Sequence, residues 1–177
     1  MKKEISYRLA NISDVKKLSI LFKQVYIQTY GAEGVSDEYA NFITKQFSEE
    51  RLQELIVLHS DCLIVAEYKG NLVGVAEIEF NKKSPVGNIT ATELNKLYIL
   101  EWFCGQGIGY HLLLEAEKIV KSKGLHEMWL WVYEENYRAI QFYERQNYVC
   151  IGHAPFQMEV NKYDNKVMLR NGKYTPI

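Results

Sequence analysis

The chain lacks the residues that would tie it to a disulfide framework, a metal or a membrane. Cysteine occurs three times, at Cys62, Cys104 and Cys150. The number is odd and the spacing wide, so no disulfide set follows, and no CxxC or Cys/His ligand spacing is present. The four histidines, His59, His111, His126 and His153, form no HExxH. No metal is expected. Proline is confined to Pro85, Pro155 and Pro176, so the chain is rarely interrupted. No stretch approaches the ~18 apolar residues of a membrane span. The basic opening, Met1-Lys2-Lys3-Glu4, has no apolar run behind it and does not read as a secretion signal. A reduced, cytoplasmic setting is the expectation. Charge of one sign is lacking too. Lys+Arg 21 stand against Asp+Glu 22, a net −1. That excludes nucleic-acid binding through bulk positive charge, and neither a nucleic acid nor a membrane is expected as a partner.

What is present is an ordinary globular composition, 47% hydrophobic and 24% charged. A length of 177 residues predicts one domain, 1–177. A chain of that size buries about 70% of its extended surface without staples. Ile5 to Leu9 alternates as a strand. Ser13-Asp14 offers an N-cap before apolar residues at helical spacing, Val15, Leu18, Leu21, Phe22, Val25 and Tyr26. Ser36-Asp37-Glu38 and Ser48-Glu49-Glu50 mark two more helix starts, with acids near the positive end of each dipole. Strands 62–68 and 72–80 flank the turn Lys69-Gly70-Asn71 and predict a hairpin. Residues 81–88 read as a loop and 90–99 as a long strand. A helix is predicted over 107–123, closed by Gly124. Strand 128–132, helix 137–146 and strands 148–151 and 166–169 follow. This order predicts an α/β fold, a mixed sheet with helices on both faces.

The segment Cys104-Gly105-Gln106-Gly107-Ile108-Gly109-Tyr110 lies between a predicted strand and a predicted helix. Alternate glycines allow positive φ and a close ligand approach, and the helix that follows points free N–H groups into the loop. Such a loop suits phosphate, although spacing alone also allows a bare turn. A Walker A loop needs Gly-Lys-Ser/Thr, which Gly109-Tyr110-His111 does not supply. A Rossmann loop needs GxGxxG early in a longer strand series.

The loop resembles the Q/R-x-x-G-x-G/A pyrophosphate loop of the GCN5-related N-acetyltransferase (GNAT) superfamily. Glu93-Leu94-Asn95-Lys96-Leu97-Tyr98-Ile99 is similar to the family's strand before that loop. Asn136, Ala139-Ile140, Tyr143 and Asn147-Tyr148 follow the spacing of its later motif, and the hairpin at 63–74 resembles its second and third strands. The resemblance spans residues 62–151, while the first 60 residues match in element order. Trp129 to Asn136 and Gly152 to Phe156 are similar to PaiA-type polyamine acetyltransferases. Two positions depart from the pattern. Cys104 stands where the family has Gln or Arg, which removes a side-chain donor. Asn147-Tyr148 stands for Gly-Phe, and Asn tolerates the left-handed conformation.

The resemblance implies a mixed, mostly antiparallel GNAT sheet and transfer of acetyl from the cosubstrate acetyl-CoA to a primary amine. That transfer needs a neutral amine and a protonated leaving thiol. A free alkyl amine has a pKa near ~10 and a thiol near ~8.5, so protons must move. By resemblance, Tyr143 is the acid toward the CoA sulfur and Glu93 the base, with Glu77, Glu79 or water as rivals. The cofactor contacts implied are the backbone of Leu97, Tyr98 and Ile99, the loop residues Cys104, Gly105, Gln106, Gly107, Ile108, Gly109 and Tyr110, then Asn136 and Arg145. Arg138 and His111 are further candidates near phosphate, and His153 is a candidate substrate contact in a predicted turn. Trp129 and Trp131 read as core. Residues 31–61 carry a net −5, against +4 in residues 1–30. In the family the helices after the first strand border the acceptor cleft, so an acidic rim there attracts a polycation. Spermidine or spermine is the leading acceptor. Protein amines, an amino sugar or antibiotic, a non-catalytic acyl-CoA sensor and a nucleotide at the loop remain alternatives. The resemblance also allows a homodimer.

Overall fold

The computed structural model describes residues 3–171. The outermost residues of the expected 1–177 domain lie outside that range. Element order runs β1 (Ser6–Leu9), α1 (Val15–Tyr30), α2 (Asp37–Gln46), α3 (Glu49–Leu58), β2 (Leu63–Tyr68), β3 (Asn71–Lys83) and β4 (Thr90–Ile99). It continues with α4 (Ile108–Ser122), β5 (Glu127–Tyr133), α5 (Tyr137–Arg145), β6 (Val149–Gln157) and β7 (Lys162–Asn171). Among the described residues the strands form one sheet of seven in the order β1-β2-β3-β4-β5-β7-β6. β1–β2, β2–β3, β5–β7 and β6–β7 pair antiparallel, and β4–β5 pair parallel. The expected mixed α/β fold is what forms. Among the described residues no helix is long and apolar enough to cross a membrane.

The chain divides into two compact units. The first holds residues up to Glu77 together with Lys96–Ala116. Its core is Leu18, Phe22, Phe47, Leu52, Val65, Val75, Leu112 and Leu113, all buried. Phe22 and Phe47 stack with ring centroids 5.1 Å apart. Burying each such side chain contributes roughly 1.5–3 kcal/mol. Gly74 is required by packing: a Cβ there would lie 3.1 Å from Leu112 Cδ1 and from the Tyr98 carbonyl. The second unit holds Ile78–Asn95 and the residues from Glu117 onward. Trp129, Leu130, Val167, Met168 and Tyr148 form its core. Trp129 is fully buried as expected, and its Nε1 donates to the Lys82 carbonyl at 3.2 Å.

Local signals place most boundaries. Ser36 and Ser48 cap α2 and α3 by accepting from the backbone N–H groups of Tyr39 and Arg51. Lys69 and Gly70 both take positive φ, which matches the twist of the β2–β3 hairpin. Asn147 takes φ 63 and ends α5, and the Tyr148 N–H reaches back to the Tyr143 carbonyl at 3.0 Å.

Three expectations are corrected. β3 runs on through Lys83, which shortens the 81–88 loop. The segment 152–156 is not a turn but the body of β6, hydrogen-bonded along β7. Asn11, not Ser13-Asp14, supplies the first cap: its side chain accepts from the Ser13 N–H and opens a 3-10 turn, Ile12–Asp14, that leads into α1. Asp14 is buried instead. Its carboxylate accepts from Arg8 Nη1 at 2.6 Å and Nη2 at 3.0 Å, with Lys17 at 3.2 Å. Burial pushes this carboxyl up, but Arg8, the Asn11 N–H and Lys17 together bring it down to about 2. The stabilisation is therefore present above the unfolded carboxyl pKa and is lost as pH falls from ~4 toward ~2. Asp14→Asn is expected to cost about 2 kcal/mol at neutral pH and to remove that acid-side loss, read by urea unfolding between pH 7 and pH 2.

Candidate functional site

The loop after β4 begins with a 3-10 turn, Glu101–Phe103, and reaches α4 at Ile108. Gly105 and Gly107 take φ 74 and φ 80, and a Cβ at either would meet no atom within 4 Å. These glycines answer to backbone conformation, and their open side faces solvent. Gly109 lies inside the first turn of α4, within the predicted helix, and has no positive φ, whereas Gly107 precedes the helix. Gln106 Nε2 donates to the Trp102 carbonyl at 3.1 Å, which braces the loop. Cys104 is half-buried, with Sγ 3.8 Å from the Ile99 carbonyl. Ile108 is buried and anchors the helix start, while Tyr110 is exposed. By helix geometry the first amides of α4 lack intrahelical acceptors and point into the loop. The exposed Gly105-Gln106-Gly107 backbone and that helix start fit a pyrophosphate.

The same unit holds the end of β4. Tyr98 is buried edge-on against Phe22, while Leu97 and Ile99 are half-buried. Burial pushes the Tyr30 hydroxyl up to about 12, against the opposing pull of its hydrogen bond with Tyr98. Tyr26, Tyr30, Tyr39 and Phe42 cluster beside it, with the last three rings 4.7–6.1 Å from Tyr26. Glu77 is buried and bound by Arg51 Nη2 at 2.6 Å. No local sequence signal links Arg51 to Glu77, 26 positions away. Asp37, Glu38, Glu49 and Glu50 occupy the first turns of α2 and α3.

The second unit holds most of the other candidates. The β4–β5 ladder pairs Thr92 with Met128 and Glu93 with Trp129, and both strands continue beyond it. Glu93 is 7% exposed, so it is not a solvated strand glutamate. Glu79 is bound by Lys82 at 3.0 Å. That bond raises the Lys82 pKa, burial opposes it, and the negative field of Glu93 adds to the rise. Lys82 is thus a second residue that sequence reading missed. Asn136 caps α5, its Oδ1 accepting from the Ala139 N–H at 3.1 Å. Tyr143 is 8% exposed, between Phe142 and Tyr148 at 5.2 and 5.6 Å. Burial pushes the Tyr148 hydroxyl well up, and Glu117 and Tyr143 add to this while Arg170 opposes it. Arg138 and Arg145 are exposed on α5. His153 is not in a turn but on β6 beside Glu134. His111 packs on Tyr7 at 5.5 Å within the first unit. Among the described residues no group of His, Cys, Asp and Glu is placed to hold a metal.

Comparison with known proteins agrees with this architecture. Residues 32–148 match the family model described as the acetyltransferase (GNAT) family. A spermidine N(1)-acetyltransferase of Thermoplasma acidophilum is 31% identical over 149 residues, 81% of this chain and 88% of that protein. An uncharacterized N-acetyltransferase of Archaeoglobus fulgidus is also 31% identical, over 71% of this chain and 83% of its own length. Among solved structures, the PaiA N-acetyltransferase from Thermoplasma acidophilum in complex with coenzyme A aligns with TM-score 0.74. Its identity is 24%, over 95% of this chain and 99% of that one. The sheet order, the strand–glycine loop–helix unit and the match over most of the chain agree: this protein belongs to the acetyltransferase (GNAT) family and is an acetyl-CoA-dependent N-acetyltransferase.

Proposed function

We propose that this enzyme acetylates a small polycationic amine, with spermidine or spermine as the best acceptor, by direct attack in a ternary complex. The observation that carries the reading is the net −5 of residues 31–61, with acids clustered at the starts of α2 and α3. A cationic amine gains from that field before it makes any contact. The relative named as a spermidine N(1)-acetyltransferase supports it.

Each residue has a proposed role. The backbone amides of Gly105, Gln106, Gly107, Ile108, Gly109 and Tyr110 take the pyrophosphate, and Cys104 enters the loop without a side-chain donor. The Leu97, Tyr98 and Ile99 backbone pairs with the pantetheine arm as a strand would, and helps to hold the thioester oxygen. Asn136 contacts the same arm, and Arg145 the phosphates. Glu93 takes the proton from the incoming amine, directly or through water. Its rivals are Glu77, held by Arg51, and Glu79, held by Lys82. The Tyr143 hydroxyl delivers a proton to the departing sulfur. Its neighbour Tyr148 is kept neutral by burial and supplies a rigid, uncharged wall.

Calorimetry is expected to show CoA binding in the low micromolar range or tighter, and far weaker binding of ATP or NAD. Absence of CoA binding would overturn the loop assignment. Gly107→Ala places a side chain at φ 80 and is expected to weaken CoA about tenfold, with Gly107→Asn milder. Tyr143→Phe is expected to lower kcat by about tenfold or more with CoA affinity nearly unchanged, as suits a lost general acid. Full activity in that variant would return Tyr143 to the core. A free-thiol assay against polyamines, aminoglycosides and peptides tests the acceptor. An inert spermidine beside an active peptide would overturn the polyamine reading alone.

A further inference from the structure

We propose that Cys150, His153 and Glu134 form a reactive-thiol site that takes low-molecular-weight disulfides by thiol–disulfide exchange. None of the roles proposed above for acetyl transfer falls on these three side chains. Cys150 and His153 lie on β6, and Glu134 follows the end of β5. The ladder to β7 shifts register between Cys150 and Gly152, which places His153 back beside the thiol. Cys150 Sγ lies 3.9 Å from His153 Nε2 and 3.4 Å from the Gly152 carbonyl. The opposite ring nitrogen, Nδ1, is bonded to the Glu134 carboxylate. That bond places the neutral ring's proton on Nδ1 and turns the Nε2 lone pair toward sulfur. A nucleophile, a base and a third group that orients the base are thus in line, the general arrangement of an activated thiol.

The surroundings suit an incoming small molecule. Cys150 is exposed, and the His153 and Glu134 side chains are 59% and 35% exposed. The Glu134 N–H donates to the Asp164 carbonyl at 3.0 Å, which fixes the start of the β5–α5 connection. Lys166 stands opposite His153 in the ladder, and Met168 opposite Cys150. The shift is built around Gly152, where a Cβ would come within 3.1 Å of Val86. The other two thiols are placed differently: Cys62 is buried and Cys104 half-buried.

The exchange balances as follows. The Cys150 sulfur attacks one sulfur of the disulfide RSSR and its proton passes to His153 Nε2, with Glu134 holding the imidazolium. The new S–S bond forms as the old one breaks. The departing thiolate takes the proton from His153 and leaves as RSH. Cys150 is oxidised to a mixed disulfide, one half of RSSR is reduced, and excess free thiol reverses the step.

The test uses 2-hydroxyethyl disulfide, a neutral probe, at pH 7 on the full chain, with site-by-site rates from mass spectrometry. An unassisted thiol is only a few per cent ionised there, so Cys150 is expected to react about tenfold faster in the native protein than in the urea-unfolded chain. Most thiols change the other way, being shielded by folding. His153→Asn and Glu134→Gln are each expected to remove most of that advantage while Cys62 stays unreactive, which reports an intact fold. A native rate at or below the unfolded rate overturns the site, as does a native rate unchanged in both variants. If a variant exposes Cys62, the native-to-unfolded ratio of the wild-type chain decides alone.

Discussion

The arrangement depends on the parallel pairing of β4 with β5. Thr92 lies opposite Met128 and Glu93 opposite Trp129. Two parallel strands cannot be joined by a tight turn, so the chain must cross over between them. The crossover here is the glycine loop and α4. It puts the N-terminus of α4 just past the end of β4, where helix dipole and free amides suit an anion. The glycines are therefore consequences of topology as much as of ligand chemistry. Gly105 and Gly107 turn the chain, while Gly109 lies within the helix and omits a side chain at its start.

Buried charge is handled by direct pairing within each unit. Arg8 holds Asp14 and Glu67, and Arg51 holds Glu77. In the second unit Arg170 holds Glu117, whose carboxyl burial pushes up while Arg170 and Lys121 draw it back. Such pairs add little net stability but are costly to break, because the lone charge left behind is desolvated. Glu77 and Glu79 are each bound by a cation, and Glu93 lies buried at the β4–β5 ladder.

Membership of the acetyltransferase family and the charge distribution inform different questions. The family defines the reaction class and the donor. The acceptor is a matter of this chain's own surface, where acids gather in residues 31–61 although the whole chain is near neutral. The neutral total is a cancellation between adjacent segments. A protein that grips an anion through backbone amides needs no basic excess to do so.

The legible part was the local part. Ser36, Ser48, Asn147, Gly124 and the Lys69-Gly70 turn act through their own backbone and near neighbours, so their positions could be read directly. The turn at Gly105 and Gly107 and the helix that carries Tyr143 were legible for the same reason. What only the tertiary structure decided were meetings of residues far apart in sequence. Arg51 finds Glu77 across 26 positions and His153 finds Glu134 across 19. Arg8 finds Glu67 across 59 positions while it also holds Asp14. β6 runs through Pro155 because β7 offers it a partner along its whole length. Backbone conformation is a short-range property and is written residue by residue. Burial and charge pairing depend on which distant side chains arrive together, and only the folded chain brings them there.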